Sequence, residues 1–245
     1  MPGKAFGVGI VCAGIALTAS QALAEFASAP VRVGRMTIAV GQAAQPSPPA
    51  ETRRVDPEAD TELYQHSPAK NLGSNRRLDV ISRAGWNARA LLRFNLAGTV
   101  PGSTITACTL HLFLSEPAST GSRTHGVFRL TDHADTWVEG EHGFSATSPT
   151  GSSWLWYARP NSWDTLGGDM AAAPTATAMT GTTKRVWLSW DLTPDCQAGS
   201  STLSWVVRDM AENNPDYPAR AEYQSRESFD GDTRPYVLVT YQVPN

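Results

Sequence analysis

The chain has 245 residues, of which 41% are hydrophobic and 18% are charged, and its formal net charge at pH 7 is -3. This composition predicts a soluble globular protein of one or two domains, long enough to bury a sizeable core. The mild acidity argues against a nucleic-acid partner, because domains that bind nucleic acids usually carry a clear excess of Lys and Arg.

The first 24 residues have the pattern of a secretory signal peptide. Lys4 precedes a run rich in Ala, Gly, Val, Ile and Leu, and the run ends in an A-x-A cleavage motif at residues 22–24. A retained membrane anchor is the alternative, but the glycines and the Ser-Gln pair at residues 20–21 make this run a poor span. We therefore expect a secreted or cell-surface protein with no membrane span in the mature chain.

A flexible linker is predicted at residues 25–57. This segment contains GQAAQPSPPAETRRVDPE, which is poor in large apolar side chains and rich in Pro, Ala and Gln. Such a segment buries too little surface to offset the entropy lost on ordering, so we expect a tether. VRVGRMTIAV, just before this stretch, has the composition of a short isolated strand.

A different pattern begins at about residue 58 and continues to residue 245. Short alternating runs are separated by Gly, Pro, Asn and Ser, with hardly any window of helical period. This pattern is typical of antiparallel strands in an all-β sandwich or barrel. Eight strands are predicted: RLDVIS, RALLRFNL, ITACTLHLFL, GVFRLT, KRVWLSWDLT, STLSWVVRDM, RAEYQS and RPYVLVTYQV.

Alternation assigns one face of these strands to the core, because neighbouring side chains on a strand point in opposite directions. The inward face comprises Leu78, Val80, Leu92, Phe94, Leu96, Cys108, Leu110, Leu112, Leu114, Leu188, Trp190, Leu192, Leu203, Trp205, Val207, Val237, Val239 and Tyr241. Cys196 continues the inward phase of the strand that contains Trp190. With the signal peptide removed, Cys108 and Cys196 are the two remaining cysteines, which permits one disulfide or two buried free thiols.

Six motifs occur in order between about Asp60 and Gln242: ADTELYQHSPAKNLGSNRRLDV, ALLRFNLAGTVPGSTITACTLHLFL, DTWVEGEHGF, GSSWLWYARPNSWDTLGGD, WDLTPDC and YQSRESFDGDTRPYVLVTYQ. Together they resemble the DNRLRE domain family, also classed as carbohydrate-binding module family 96. The resemblance implies a secreted jelly-roll β-sandwich of antiparallel strands over residues 58–245. It also implies frequent association with polysaccharide lyases, with alginate-type polyuronates as ligands of some members. The family usually has Ala and Val where this chain has Cys108 and Cys196, and this paired replacement favours the disulfide.

An arginine-bearing hairpin is predicted from RRLDVISRAGWNARALLRFN. A turn centred on Trp86 would pair Val80 with Leu92 and Leu78 with Phe94. The opposite face would then carry Arg77 beside Asn95, Asp79 beside Arg93, and Arg83 directly opposite Arg89. Facing like charges are unfavourable on a sheet unless an anion lies over them, and guanidinium groups bind sugar carboxylates in bidentate fashion. The predicted carbohydrate-binding residues are Arg77, Arg83, Trp86, Arg89, Arg93 and Trp187. The alternative is a solvated face on which the arginines pair with Asp79 and nearby Glu residues.

Aromatic residues are concentrated in residues 151–163, GSSWLWYARPNSW, with Trp137 upstream. A long connection across a sandwich can be held in place by indole rings that each bury about 150 to 250 Å². Alternatively, flat rings offer a surface on which sugars stack. We expect Trp137 and Trp154 to be buried anchors. Both interpretations stay open for Trp156, Tyr157 and Trp163.

The chain shows no H-E-x-x-H or G-x-S-x-G motif. DHADTWVEGEH offers His133 and Glu139 as a candidate acid and base, but a polar loop beside Trp137 is the simpler interpretation, and we expect no catalysis. No cofactor is expected to be required. A structural Ca²⁺ held by oxygen ligands near strand ends is an option, and ordinary turn chemistry is the alternative. The candidate calcium ligands are Asp60, Asp191, Asp230 and Asp232.

The sequence therefore predicts a secreted, non-catalytic carbohydrate-binding module that recognises an acidic extracellular polysaccharide beside polysaccharide-degrading enzymes. The alternative is a structural or adhesive surface scaffold with no glycan ligand. A third hypothesis is a hydrolase or lyase built around His133 and Glu139.

Overall fold

The computed structural model describes residues 49–98, 103–143, 150–215 and 218–243. The predicted signal peptide lies outside these residues, as does the predicted linker up to residue 48 with its VRVGRMTIAV strand. The described residues belong to one compact unit, Pro46–Asn245. Among them, no helix has the length and apolar character needed to cross a membrane.

Strands dominate the described part of the chain. They are β1 (Ala50–Val55), β2 (Ala59–Tyr64), β3 (Arg77–Ser82), β4 (Ala88–Asn95), β5 (Thr104–Glu116), β6 (Thr124–Arg129), β7 (Trp156–Ala158), β8 (Asn161–Ser162), β9 (Ala176–Met179), β10 (Val186–Asp191), β11 (Thr202–Asp209), β12 (Ala219–Gln224) and β13 (Tyr236–Gln242). One short helix, α1 (Thr193–Gln197), follows β10. All eight predicted strands are present, which confirms the all-β fold class.

Eleven of the strands form one large, curled antiparallel sheet in the order β1-β13-β5-β12-β3-β4-β11-β6-β9, with β10 also paired to β5 and β2 to β4. Strands β7 and β8 pair with each other in a separate two-stranded sheet. The long strand β5 joins two parts of this sheet. Its residues 104–111 pair with β13, and its last residues, Leu114 and Glu116, pair with β12. This arrangement is consistent with a sandwich whose layers enclose the core. The jelly-roll connectivity implied by the resemblance stays a prediction.

Strand β1 corrects the expected start of the sandwich at residue 58. Its pairing with β13 runs from Ala50 opposite Gln242 to Val55 opposite Val237. Most side chains of β1 are exposed. Because these side chains face solvent, they are mostly polar, and the composition of β1 resembles that of a linker. Backbone pairing with the end of the chain nevertheless places β1 in the sheet.

The main core contains all the residues that alternation assigned to the inward face except Leu188, which is half-buried and packs against it. Indole groups in this core keep polar partners, as buried Trp residues require. Trp205 donates from Nε1 to Asp195 Oδ2 at 2.7 Å, and Trp190 donates to the His125 carbonyl at 3.1 Å. The predicted disulfide is confirmed: Cys108 on β5 is bonded to Cys196 on α1, with a Cα–Cα distance of 6.3 Å.

A second apolar cluster lies on the opposite face of β2, β4 and β11, under the connection between β6 and β9. Leu63, Leu91 and Val206 contribute to it from the three strands. Trp137, Trp154 and Trp163 cover them and are 1%, 6% and 3% exposed. The prediction of buried anchors is confirmed for Trp137 and Trp154, and Trp163 is also an anchor.

Two more aromatic residues of the connection between β6 and β9 (residues 130–175, the crossover) are described, and both are half-buried. Tyr157 packs against the second cluster and stacks on His133, with ring centroids 3.6 Å apart. Trp156 receives the guanidinium of Arg159 over its ring at 4.7 Å. Both rings therefore contribute to the packing of the crossover.

The predicted register of the β3–β4 hairpin is wrong. The two strands pair only where Ile81 faces Ala88, next to a tight turn in which the Trp86 N–H donates to the Arg83 carbonyl at 2.8 Å. Strand β4 pairs instead with β2 along residues 88–93, and β3 pairs with β12 along its whole length. Because β2 takes the edge of β4 that the prediction gave to β3, the sheet forks between β2 and β3.

Candidate functional site

The fork leaves a polar cleft of about 670 Å³ between β2 and β3. It is lined by Glu62, Tyr64, Ser74, Asn75, Arg76, Arg77, Asp79, Ile81 and Arg220. The odd-numbered residues of β3 face the cleft because the even-numbered Leu78 and Val80 point into the main core. Strand β12 lies beside β3 and adds Arg220, which faces Ile81 across the strand pair.

Two of the cleft arginines are held by acids and remain well exposed. Arg77 Nη1 lies 3.1 Å from Glu222 Oε2, and the side chain of Arg77 is 55% exposed. Arg220 Nε lies 2.9 Å from Asp79 Oδ2, and its side chain is 43% exposed. A guanidinium has five N–H donors, and these acids engage only some of them. Both groups therefore keep donors for a ligand.

The third cleft arginine, Arg76, lies over the ring of Phe229 at 3.3 Å. Phe229 is 81% exposed. Within the described residues Arg76 forms no ion pair, so its charge is not offset by a neighbouring carboxylate.

Glu62 forms the buried floor of the cleft and is 3% exposed. Its Oε1 accepts a hydrogen bond from the Asp79 backbone N–H at 2.8 Å. Burial, followed by the neighbouring Asp79 carboxylate, raises the pKa of Glu62 well above its ordinary value. Burial also raises the pKa of Asp79. The floor of the cleft thus consists of two adjacent carboxyl groups beneath the arginines.

Aromatic rings continue from the cleft to the β3–β4 turn. Tyr64 makes an edge contact with His66, with centroids 6.3 Å apart, and His66 stacks on Trp86 at 3.3 Å. The Arg83 guanidinium lies 4.9 Å from the centre of the Trp86 ring. Gly85 has φ of 72°, a conformation in this turn that favours glycine. The turn therefore presents an aromatic and cationic surface at one end of the cleft.

Of the predicted arginines, Arg77 lines the cleft and Arg83 lies beside Trp86 at its end, whereas Arg89 and Arg93 contact the crossover. Arg89 binds both carboxylate oxygens of Glu212, at 2.7 and 2.8 Å, and donates to the Gly167 carbonyl at 2.8 Å. Arg93 donates to the Trp137 carbonyl at 2.7 Å. The expected row of arginines, with Arg83 opposite Arg89, is therefore not formed.

The physical reason is that β4 turns its odd-numbered residues toward the crossover, with Leu91 in the second cluster between the two arginines. The guanidinium groups of Arg89 and Arg93 lie over the rings of Trp154 and Trp137, at 4.6 and 4.8 Å. These side chains are only 12% and 18% exposed. They hold the crossover on the sheet.

Trp187 belongs to a separate aromatic group on β10, β5 and β13. Its ring centroid lies 5.3 Å from that of Phe113 and 5.1 Å from that of Tyr236, which stacks on His111 at 4.6 Å. Trp187 is 38% exposed. The predicted site residues therefore divide among the cleft, the crossover contact and this group.

Sequence reasoning missed several residues of the cleft. Arg76 precedes Arg77 directly in NRRLDV, so the doubled arginine was an available signal. Glu62 and Tyr64 lie in ADTELY, a strand that was not predicted. Arg220 joins the site only through the pairing of β12 with β3, which no local pattern specifies.

The predicted calcium ligands do not converge. Asp191 accepts hydrogen bonds from the backbone and hydroxyl of Thr193 at 3.0 and 2.6 Å, and Asp230 accepts one from the Asp232 backbone N–H at 3.1 Å. The carboxylates of Asp191 and Asp230 therefore stabilise local turns, and Asp232 takes part in the second turn through its backbone N–H. Only Asp60 lies in a group of three acids, with Glu139 and Glu227.

Glu139, one member of the candidate acid and base pair His133 and Glu139, belongs to this group of acids. Glu139 accepts two hydrogen bonds from Arg226 Nη1, at 2.7 and 3.0 Å, whereas His133 stacks on Tyr157. Glu139 and His133 are thus engaged by different partners. Burial, followed by the Glu227 carboxylate, raises the pKa of Asp60 well above its ordinary value.

Comparison with known proteins tests the resemblance seen in the six motifs. No curated protein matches this sequence significantly. Residues 51–241 match the model of carbohydrate-binding module family 96, a span that includes β2 to β12 and nearly all of β1 and β13. Since this match covers well over half of the 245 residues, the chain belongs to carbohydrate-binding module family 96.

Proposed function

We propose that this protein is a secreted, non-catalytic module that binds an acidic, uronate-type polysaccharide in the cleft between β2 and β3. Membership of the family supports carbohydrate binding. The preference for an acidic glycan is supported by one observation above all: Arg76, Arg77 and Arg220 line a single cleft. Planar guanidinium groups bind carboxylates with two parallel hydrogen bonds, which suits a chain of sugar acids.

The size and lining of the cleft support the same function. Its volume of about 670 Å³ is within the range of small-molecule sites. The aromatic rings of Trp86, His66 and Tyr64 extend from the cleft, and the stacking of His66 on Trp86 leaves at most one face of each of these two rings for a pyranose ring. We assign the stacking contact to Trp86 rather than to Trp187, because Trp86 connects with the cleft through His66 and Tyr64.

Glycan binding is tested with a pair of matched double variants. Arg76→Ala with Arg77→Ala removes two positive charges from the cleft, and Arg54→Ala with Lys184→Ala removes two exposed charges elsewhere, each paired with an exposed acid. We expect the cleft variant to lose at least about tenfold in affinity for oligouronates, equivalent to about 1.4 kcal/mol. The control should keep nearly full affinity. Calorimetry or affinity electrophoresis with alginate and pectate fragments measures the difference.

Salt and glycan charge give an independent readout of the same site. Contacts between exposed ions are screened over a Debye length of about 8 to 10 Å near physiological ionic strength. Binding of oligouronates should therefore weaken as salt increases, and neutral glucans should bind poorly at every salt concentration. Equal affinity for neutral and acidic chains, or equal losses in the two double variants, would contradict the proposal.

Secretion is the other part of the proposal. The signal-like segment at residues 1–24 supports it, and polysaccharide-degrading enzymes remain proposed partners. N-terminal sequencing of protein recovered from outside the cell should begin after Ala24. Retention of the full-length chain inside the cell would contradict secretion.

A further inference from the structure

Three acidic residues from distant parts of the chain form one cluster. Asp60 lies on β2, Glu139 on the crossover and Glu227 just after β12. Each offers one carboxylate oxygen, and the three oxygens lie within 4.8 Å of one another.

Two carboxylate oxygens of this group of residues lack a hydrogen-bond partner within the described part of the chain. Asp60 is 1% exposed, and its Oδ1 has no partner among the described residues. Glu227 Oε2 is likewise buried and unpartnered within the described part of the chain. A buried carboxylate oxygen without a partner is costly, so these atoms need either a proton or a cation.

The charge of the cluster favours a cation. Three carboxylates and the guanidinium of Arg226 sum to a formal charge of about -2 when all are ionised. Arg226 is already committed, since its Nη1 binds both oxygens of Glu139 and its backbone N–H donates to Asp60 Oδ2 at 2.7 Å. Its Nε also lies 3.5 Å from Glu227 Oε1, so one positive charge is shared among three acids and offsets only part of their negative charge.

The backbone around the cluster is closely packed. Asn71 donates to the carbonyls of Glu139 and Ser152. A Cβ on Gly73 would collide with the backbone of Glu139. After β12, the Ser225 hydroxyl donates to the Asn75 carbonyl at 2.6 Å. The acids are thus presented by fixed segments rather than by independent loops.

We propose that Asp60, Glu139 and Glu227 bind a Ca²⁺ ion that ties β2, the crossover and the segment after β12 together. Ca²⁺ accepts oxygen ligands at about 2.3 to 2.6 Å, so two oxygens on opposite sides of the ion lie about 4.6 to 5.2 Å apart. The spacing of the three carboxylates falls within this limit. Mg²⁺ is the less suitable ion, because it requires near-octahedral geometry at about 2.0 to 2.1 Å.

The site is tested on the mature chain after chelation and desalting. Calorimetry and thermal unfolding are recorded against CaCl₂ from 0 to about 10 mM, a range that includes the affinities of extracellular calcium modules. We expect saturable binding and a melting temperature that rises with Ca²⁺ concentration, by mass action on the folded state. MgCl₂ at the same concentrations should give a much smaller rise.

Variants locate the ion. Glu227→Gln removes one ligand charge while keeping the shape of the side chain, and it should weaken Ca²⁺ binding at least about tenfold. Asp60→Asn provides a second test with the same expected loss. Glu141→Gln is the matched control, because it removes the charge of an exposed acid two residues from Glu139 and should bind Ca²⁺ like the parent protein.

Absence of binding and of a thermal shift at about 10 mM Ca²⁺ in the parent protein would overturn the site and leave a shared proton between Asp60 and Glu227. Equal Ca²⁺ responses in Glu227→Gln and Glu141→Gln would also overturn it, as would an Mg²⁺ response equal to that of Ca²⁺. None of these readouts uses a glycan, so the calcium site can fail while the proposed glycan binding stands.

Discussion

At the scale of single residues, the arginines of this protein show that the role of a side chain depends on the residues packed around it. Arg77 and Arg89 are both arginines on neighbouring strands, yet one is 55% exposed in the cleft and the other is 12% exposed and bound to Glu212. Their different roles follow from the packed layer on each face of the sheet. An exposed, partly engaged arginine can bind a ligand, whereas a mostly buried one with hydrogen bonds from all three of its nitrogens stabilises the fold.

His125 gives the clearest prediction at this scale. It is 1% exposed, and its Nδ1 lies 2.8 Å from the Tyr223 hydroxyl. Burial lowers the pKa of His125 from 6.5 to about 4. The Asp209 carboxylate acts in the opposite direction, because its Oδ2 lies 3.9 Å from His125 Nε2. Asp209 is itself paired with Arg123. Because the folded state disfavours the protonated ring, the full contribution of neutral His125 is present above the unfolded pKa. It is lost as the pH falls from 6.5 toward 4.

We expect this titration to remove about 3 kcal/mol of the free energy of unfolding across that window. Urea denaturation at a series of pH values measures the effect. His125→Asn should lower stability at pH 7 and flatten the difference between pH 7 and pH 4, since the variant has no imidazole to protonate. An unchanged pH dependence in the variant would show that other groups cause the acid sensitivity.

At the scale of elements, the crossover between β6 and β9 is held to the sheet by side chains as well as by short pairings. Trp137 is central to this attachment: it is 1% exposed, and its Nε1 donates to Ser204 Oγ at 2.9 Å. The backbone of the same residue accepts from Arg93 at 2.7 Å. The crossover is therefore attached to the sheet largely by side-chain contacts, whereas the strands of the sheet are joined by backbone hydrogen bonds.

Trp137→Ala should consequently destabilise the protein by about 3 to 5 kcal/mol, through loss of buried surface and the cavity left behind. Trp156→Ala is the internal comparison, because Trp156 is half-buried in the same crossover and should cost about 1 to 2 kcal/mol. Chemical denaturation monitored by circular dichroism measures both. Similar losses in the two variants would show that burial of Trp137 is not what anchors the segment.

Element pairing also shows where prediction from the sequence stopped. RLDVIS and RALLRFNL were recognised as strands because alternation is a local property. Their pairing partners were not recognised, because β2 occupies the edge of β4 that the prediction gave to β3. Strand β2 itself was missed because ADTELY carries acids where a buried strand usually carries aliphatic residues. The cleft exists because β4 pairs with β2 instead of with β3 along most of its length. The candidate site was therefore only partly predictable, through Arg77, Arg83 and Trp86.

At the scale of the whole molecule, the disulfide connects residues that are 88 positions apart. Cys108 lies in the middle of β5, the strand that joins two parts of the sheet, and Cys196 lies on α1. A cross-link over such a long loop restricts the unfolded chain, which stabilises the folded state. The bond therefore acts on the fold as a whole rather than on one strand pair.

Removal of the disulfide should lower the free energy of unfolding by about 2 to 4 kcal/mol. The double variant Cys108→Ala with Cys196→Ala tests this by thermal and chemical denaturation. Reductant should lower the stability of the parent protein toward that of the variant and leave the variant unchanged. A reductant effect of equal size in both proteins would contradict a stabilising role for the bond.

The sequence by itself determined the eight recognised strands, the core-facing side of six of them, and the inward orientation of both cysteines. These properties follow from alternation along a strand and need no knowledge of its partners. Only the tertiary structure decided which arginines are exposed, where the cleft lies and that Asp60, Glu139 and Glu227 meet. These depend on the competition of distant segments for the same strand edge, which is settled by backbone pairing and burial across the whole molecule.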